Sequence, residues 1–301
     1  MGLVVILGLA ASLFYGASDF LGALSARRLT VLKASVAIYV AATAVVGVAL
    51  FVTPWSFSGQ ALWAGSVAGA FAAVGMVTFY AALAIGPMSL LAPLISLIQT
   101  AIPVVVAAAI GQSLPPVAWI AVAIAILATM LISVPAGATV ERISERGGLL
   151  ALVSGVALGL SVVSLDNAPP ASGLFPAFLD VGVGLLVIAP LLVVRRLRTG
   201  DGWLQGSRGD GGEPDRGPDR EPAGARIWAM TAIAGGLLGI GNIVLVIALH
   251  TGNLAVVAVL VSLYPLATVL LAWVVLKERI SLVQFLGVTL AITAAVMLGV
   301  A

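Results

Sequence analysis

The stretch from Gly69 to Met130 reads GAFAAVGMVTFYAALAIGPMSLLAPLISLIQTAIPVVVAAAIGQSLPPVAWIAVAIAILATM, and displaced by 166 residues it lies without a gap on Gly235 to Val296. Gly69 then meets Gly235, Gly75 meets Gly241, Gly86 meets Gly252 and Ser96-Leu97 meets Ser262-Leu263, while Ala125-Ile126 falls on Ala291-Ile292. Agreement among Ala, Leu and Val arises by chance at this composition, so the glycines and the serine carry the comparison. Each copy holds three apolar segments of about 20 residues, the length with which a helix rising 1.5 Å per residue crosses a hydrocarbon core of ~30 Å. A repeat of this kind sets the architecture before any single residue is weighed.

Hydrophobic residues make up 61% of the chain and charged residues 9%, against about 25% charged in soluble proteins. The chain is therefore an integral membrane protein whose surroundings are a lipid bilayer, with no basic tract suited to nucleic acid. Ten apolar segments are read, at 3–24, 34–53, 62–84, 88–110, 116–135, 148–166, 173–194, 228–249, 253–276 and 282–300. Only helices and closed barrels satisfy their backbone inside lipid, and barrel strands alternate where these runs are continuously apolar. The expected fold is an all-α polytopic membrane protein with ten transmembrane helices. The run from Leu3 to Leu24 is too long for a signal-peptide core and lacks a basic flank, so it is read as the first span. Cysteine is absent, which removes disulfides and thiolate chemistry, and no metal ligand set or cofactor motif takes its place.

The 14 Lys and Arg residues decide the orientation. Arg27, Arg28 and Lys33 lie in the first loop, Arg142 and Arg146 in the fifth, seven arginines between Arg195 and Arg226 in the seventh, and Lys277 and Arg279 in the ninth. All fall in odd-numbered loops, which places those loops in the cytoplasm and both termini on the outer side of a bacterial inner membrane. The connection at 195–226, rich in Gly, Pro, Asp and Arg, is expected to be disordered. Trp55, Trp63, Trp119, Trp228 and Trp273 stand at or near span ends, where tryptophan collects at the membrane interface.

The first spans of the two halves match at a displacement of 147, with Gly8 on Gly155, Ala10 on Ala157 and Leu13 on Leu160. The unit is thus five helices used twice: residues 1–135, a cytoplasmic connector at 136–147, and residues 148–301. Because five is odd, the second copy runs through the membrane with opposite polarity. Inverted repeats of this kind recur in secondary transporters, where the site lies near the midplane between the halves and access alternates. A membrane-embedded enzyme is the alternative from another class. Its prospects are poor without cysteine, with the single histidine His250 at a helix end, and with no carboxylate cluster inside a span.

The tail from Ala258 to Gly287 carries Ser262-Leu263-Tyr264-Pro265, then Leu276-Lys277-Glu278-Arg279-Ile280, Gln284 and Gly287. With the opening Tyr15-Gly16-Ala17-Ser18-Asp19-Phe20, it resembles the EamA-type members of the drug/metabolite transporter superfamily. The resemblance implies an exporter similar to the amino-acid exporter branch, with the third and fourth helices of each half lining a central cavity. The first half departs from the pattern, since Gln99 stands where Pro265 would repeat and Gly111-Gln112-Ser113 replaces Lys-Glu-Arg.

Pro93, Gln99 and Pro103 lie in span four, and Tyr264 and Pro265 in span nine. Each proline removes a backbone hydrogen bond, so Pro93, Pro103 and Pro265 are hinge candidates whose freed carbonyls need a cavity or a partner. Gln99, Ser96, Tyr264 and Ser262 are expected at the central site, with Asn242, Tyr80 and Tyr15 as further lining; helix packing is the alternative for each. Spans without Lys or Arg disfavour phosphate-bearing substrates. A small zwitterion suits them, hence amino acids, large neutral or aromatic ones foremost, carried by a chain functional as a monomer. Cationic drugs exported by proton antiport are the runner-up. Asp180, deep in span seven, is either a functional carboxyl or one that joins two helices. Asp19 and Asp166, which meet at the displacement of 147, are read as alternating gates, Asp19 paired with the first-loop cations and Asp166 with His250.

Overall fold

A computed structural model describes residues 2–26, 28–29, 31–85, 88–112, 115–132, 144–199, 224–276 and 281–300. All of its elements are helical: α1 (Gly2–Ala26), α2 (Val31–Val52), α3 (Gly59–Ile85), α4 (Met88–Ala109), α5 (Pro116–Ile132), α6 (Glu145–Asp166), α7 (Phe175–Thr199), α8 (Ala225–Thr251), α9 (Leu254–Val261), α10 (Tyr264–Leu276) and α11 (Leu282–Val300), with a single 3₁₀ turn at Pro170–Ser172. Seven helices are long and apolar enough to cross a bilayer, and Leu94–Ala109, Pro116–Ile132 and Leu254–Ala267 are shorter apolar stretches. The all-α polytopic expectation holds.

Local chemistry explains several ends. Gly111, at φ 78°, closes α4: its N–H bonds the Ala108 carbonyl at 3.2 Å and the Gln112 N–H bonds the Ala107 carbonyl at 2.9 Å, the paired pattern that satisfies last-turn carbonyls. The neighbouring Gln112 then accepts the Leu254 N–H at 3.1 Å, while Asn253 accepts that of Ala255 at 2.9 Å, so two side chains cap α9. The Gly111-Gln112 pair that departs from the family pattern thus has a structural task of its own. Ser144 caps α6 by accepting the Gly147 N–H at 3.1 Å.

α3 packs on α6 and α7, α8 on α1 and α2, α4 on α6, α9 and α10 on α1, α2 on α7, and α5 on α11. With α9 and α10 counted together, replacing each helix by the one five places along returns these main pairings, while lesser ones such as α1 on α2 and α4 on α5 have no counterpart of equal extent. Close approaches at glycines repeat in the same way. Gly69 of α3 seats on the Asp180 carbonyl and the Val183 side chain of α7, and Gly235 of α8 seats on the Ile38 carbonyl and the Ala41 side chain of α2. A β-carbon at Gly75 would meet Leu158, and one at Gly241 would meet Tyr15. In both pairs the glycines are 166 apart, as the sequence comparison has it. Leu158 and Tyr15, however, are 143 apart, not 147.

Two ends of the bundle differ in charge. At one, the start of α3 bonds the connection before α7: Ser56 donates to the Ala171 carbonyl at 2.8 Å, Gln60 donates to that of Asn167 at 2.8 Å, and the rings of Trp55 and Phe175 stack 5.1 Å apart. Val4 and Gly252 also meet there. Asp166 and His250 are the titratable side chains at this neutral end among the described residues. At the opposite, basic end lie Arg28, Lys33, Arg146, Arg195, Arg196, Arg198 and Arg226. Every residue of α9 is buried, which puts this short helix at the centre of the molecule.

Several boundaries move. α7 continues to Thr199 and α8 begins at Ala225, so the flanks of the expected disordered connection are helical, and its remainder, 200–223, lies outside the described residues. α6 begins at Glu145, within the expected connector. Lys33 is in the first turn of α2 and only 6% exposed, where a loop position was expected.

Candidate functional site

The expected hinge at Pro265 is a break. α9 stops at Val261 and α10 starts at Tyr264. Pro265 has no N–H to continue the ladder, and the Leu266 N–H bonds the Leu263 carbonyl at 2.9 Å. The Ser262 carbonyl is met instead by the Thr129 hydroxyl of α5 at 3.4 Å. In contrast, α4 runs unbroken through Pro93 and Pro103, so neither proline interrupts its helix as Pro265 does. Ser262, expected to face substrate, donates its hydroxyl back to the Val259 carbonyl at 2.8 Å and completes the last turn of α9.

At the break, Tyr264 faces Ser96 of α4 and lies within electrostatic reach of Asp19 of α1. The Ser96 hydroxyl is buried within hydrogen-bonding reach of the Tyr264 hydroxyl, and the Gln99 Oε1, one turn along α4, is buried without a partner. Asp19 follows Gly8, Ser12 and Tyr15 along one face of α1. That face is packed at Gly8, against Leu260, and at Tyr15, against Gly241, and Ser12 is buried. Asp19 is nevertheless exposed. Near the break stand an accessible carboxyl on α1, a phenol at a helix start beside the Ser96 hydroxyl, and on α4 one acceptor without a donor, Gln99 Oε1. An acceptor without a donor suits a solute that brings N–H groups of its own.

A second polar group lies further toward the neutral end. The Tyr15 hydroxyl donates to Asn242 Oδ1 at 2.6 Å, and Asn242 Nδ2 donates to Asp180 Oδ2 at 3.0 Å. Ser161 of α6 approaches the same carboxyl, and the Tyr39 ring packs on Gly184, one turn from Asp180. Asp180 and Asn242 are each 5% exposed, and Asp180 Oδ1 accepts no hydrogen bond. The candidates Tyr15, Asn242 and Asp180 are thus brought together, and Tyr39 and Ser161 join them.

Asp166 and His250 share the neutral end but do not pair. The His250 imidazole bonds the Ala168 carbonyl, its Nε2 is buried without a partner, and the ring lines a cavity of about 300 Å³ with Thr53, Pro54, Gly173, Leu174 and Ile243. The separation of 143 in the glycine contacts sets Asp19 against Val162 and Asp166 against Ala23, so the two carboxyls do not occupy matching positions as alternating gates require. Asp19 belongs to the central set, and Asp166 ends α6 half-buried. The side chains of Tyr80 and Pro93, and Arg27 as a partner for Asp19, lie outside the described residues.

The EamA-like transporter family matches residues 145–300, just over half of the chain and the whole of α6 to α11. The chain belongs to that family. As an EamA-like protein it is a multi-pass membrane transporter of the drug/metabolite type and not an enzyme. No curated protein matches it. Among solved structures 27 chains match; one, a crystal structure of a protein, is 17% identical, covers 98% of this chain and 95% of its own, and superposes with a TM-score of 0.72. At that identity the likeness speaks for the fold.

Proposed function

We propose that this EamA-like transporter is a secondary transporter exporting small metabolites that carry an ammonium group, amino acids foremost, through a cavity between two inverted five-helix repeats. The observation that carries the reading is Asp19, exposed on a helix face that is otherwise packed and within electrostatic reach of Tyr264 at the start of α10, which in turn meets Ser96 of α4. An ammonium supplies three donors and a positive charge to such a set. The start of α10 in mid-span offers the complementary feature. A half-helix N-terminus presents the positive end of its dipole, which suits the carboxylate of the same amino acid. The exchange of helix neighbours between halves supports the inverted repeat, and alternating access follows as one half rocks on the other with the basic end in the cytoplasm. Large neutral side chains suit the apolar surroundings of the break.

Organic cations are the second reading, favoured by the same Asp19, and one experiment separates the two. In liposomes preloaded with unlabelled leucine, counterflow of labelled leucine is measured against competing leucine, N-acetyl-leucine, leucinamide and a quaternary ammonium dye. Free leucine should compete best, and Asp19→Asn should lower apparent affinity about 10-fold or more, the loss of a charge-assisted bond of ~1.5–3 kcal/mol. Competition by N-acetyl-leucine equal to that by leucine contradicts ammonium recognition. Preference for leucinamide and the dye establishes cation efflux instead.

A further inference from the structure

The Asp180 carboxyl lies outside the set around Asp19, and the repeat shows that packing does not require it. The crossing of α3 over α7 at Gly69 and Asp180 is rebuilt by α8 over α2 at Gly235 and Ile38. There the position of Asp180 is taken by Ile38, 6% exposed. The same correspondence sets Asn242 against Met76 and Tyr15 against Leu158. The positions that the repeat relates to Asp180, Asn242 and Tyr15 are thus held by Ile38, Met76 and Leu158, all apolar. The crossing at Gly235 closes with a buried Ile38, so the crossing itself does not require a carboxyl to hold its helices. Burying one in a membrane interior costs several kcal/mol unless it is neutral or paired.

We propose that Asp180 is a proton-binding site, present in one half only, through which a proton is exchanged for substrate in each transport cycle. The groups facing it are Asn242 of α8, Ser161 of α6, Tyr15 of α1 and Tyr39 of α2; α3 meets it with the backbone of Gly69. The nearest cation along α2, Lys33, precedes Tyr39 by six residues, about 9 Å of helix. No cation stands among these facing groups, and one carboxyl oxygen lacks a donor, so a proton added there displaces no hydrogen bond. The cavity at the neutral end is lined by Ile243, Ile247 and His250, a face of α8 beside that of the buried Asn242, so a proton reaches Asp180 from that end when α8 shifts. Coupling runs through α1, because Tyr15 and Asp19 are one turn apart on one face. A solute held at Asp19 biases the position of Tyr15, and with it the hydrogen bond to Asn242 that orients the Asn242 amide toward Asp180. The proton balance is simple: water on the neutral side gives a proton to the carboxylate, and after the halves rock the carboxyl O–H breaks and the proton passes to water on the basic side. Exchange with substrate rests on the transport reading above, whereas proton binding does not.

The test has two arms. Infrared difference spectra of the purified protein, with no substrate, should show a carboxylic C=O band that titrates with pH, is absent from Asp180→Asn and shifts in Tyr15→Phe. Asp180→Asn keeps the side-chain volume, and an unchanged melting profile confirms that it folds. In liposomes containing a pH-sensitive dye, leucine should drive proton movement in the wild type and about tenfold less or none in Asp180→Asn. Identical titrating bands in wild type and Asp180→Asn overturn the proton site. Equal leucine-linked proton movement in the two overturns the coupling. A wild type that carries no leucine sinks the substrate reading alone, and the infrared arm then decides whether Asp180 binds a proton.

Discussion

Gly75→Ala tests whether the packing that places both polar groups is as unequal between the halves as the contacts say. A β-carbon at Gly75 would lie 2.6 Å from Leu158 Cγ, 2.7 Å from its Cδ2 and 3.2 Å from its backbone nitrogen, where ordinary contact begins near 3.4 Å. Rotating the leucine clears the first two atoms but not the third, so α6 must retreat. The Ser154 hydroxyl, bonded to the Gly75 carbonyl at 2.9 Å, loses its geometry as it does. Overpacking of this kind costs about 1–3 kcal/mol, and replacing a mid-helix glycine by alanine returns up to ~1 kcal/mol. The expected net loss is about 1–2 kcal/mol. At the matching Gly241 the nearest atoms are Tyr15 ring carbons at 3.2 Å and Phe14 Cβ at 3.4 Å, a contact relieved by a small ring tilt. Gly241→Ala should remain within ~0.5 kcal/mol of wild type. Reversible unfolding in mixed micelles, followed by tryptophan fluorescence, reads both variants. Equal destabilisation of the two, or greater loss at Gly241, would refute the reasoning.

Gln99→Ala and Tyr264→Phe should each raise the KM for leucine about 5-fold, the worth of a hydrogen bond of ~1 kcal/mol, with membrane abundance unchanged; an unaltered KM in both moves the substrate away from the break. Thr129→Val removes the hydroxyl that bonds the Ala125 carbonyl at 2.9 Å and lies 3.4 Å from that of Ser262, and should lower stability by about 1 kcal/mol in the same unfolding assay. Pro265→Ala restores an N–H, allows α9 and α10 to join, and should lower kcat more than it raises KM. The chain contains no cysteine, so a single introduced one reports topology directly: Ser56→Cys at the neutral end should react with an impermeant maleimide added outside intact cells, and Glu145→Cys at the basic end only after permeabilisation. The reverse pattern inverts the assigned orientation.

The spans were legible in the sequence because an apolar run of membrane length has few other fates, and the displacement of 166 was legible because Gly69, Gly75, Gly235 and Gly252 sit where a β-carbon would collide with a neighbouring helix. The register of α1 on α6 was not. Displacements of 147 and 143 differ by four residues, about one helical turn, and small residues on one face align nearly as well either way; only the contacts of Gly75 with Leu158 and Gly241 with Tyr15 choose between them. The reading of Asp19 and Asp166 as alternating gates rests on the displacement of 147. Tyr15, Asn242 and Asp180 were each identifiable as polar residues in apolar helices, but their union depends on the lateral arrangement of α1, α7 and α8, which periodicity does not encode. Tyr39, one of only four tyrosines, and Ser161 were detectable by the same rarity of polar groups and were not singled out. Ser262 stands at the end of α9, where its hydroxyl bonds the nearby Val259 carbonyl, a local bond that a serine at a helix end commonly makes.

The central claim, that this protein carries an amino acid unchanged across a membrane through the site at Asp19, is tested most directly by the purified protein in sealed liposomes. Labelled leucine should accumulate inside leucine-loaded vesicles well above its level in protein-free ones, be recovered chemically intact by mass spectrometry, and accumulate far less with Asp19→Asn. Leucine that stays outside while an ammonium-free metabolite enters, or full accumulation by the Asp19→Asn protein, would contradict the account.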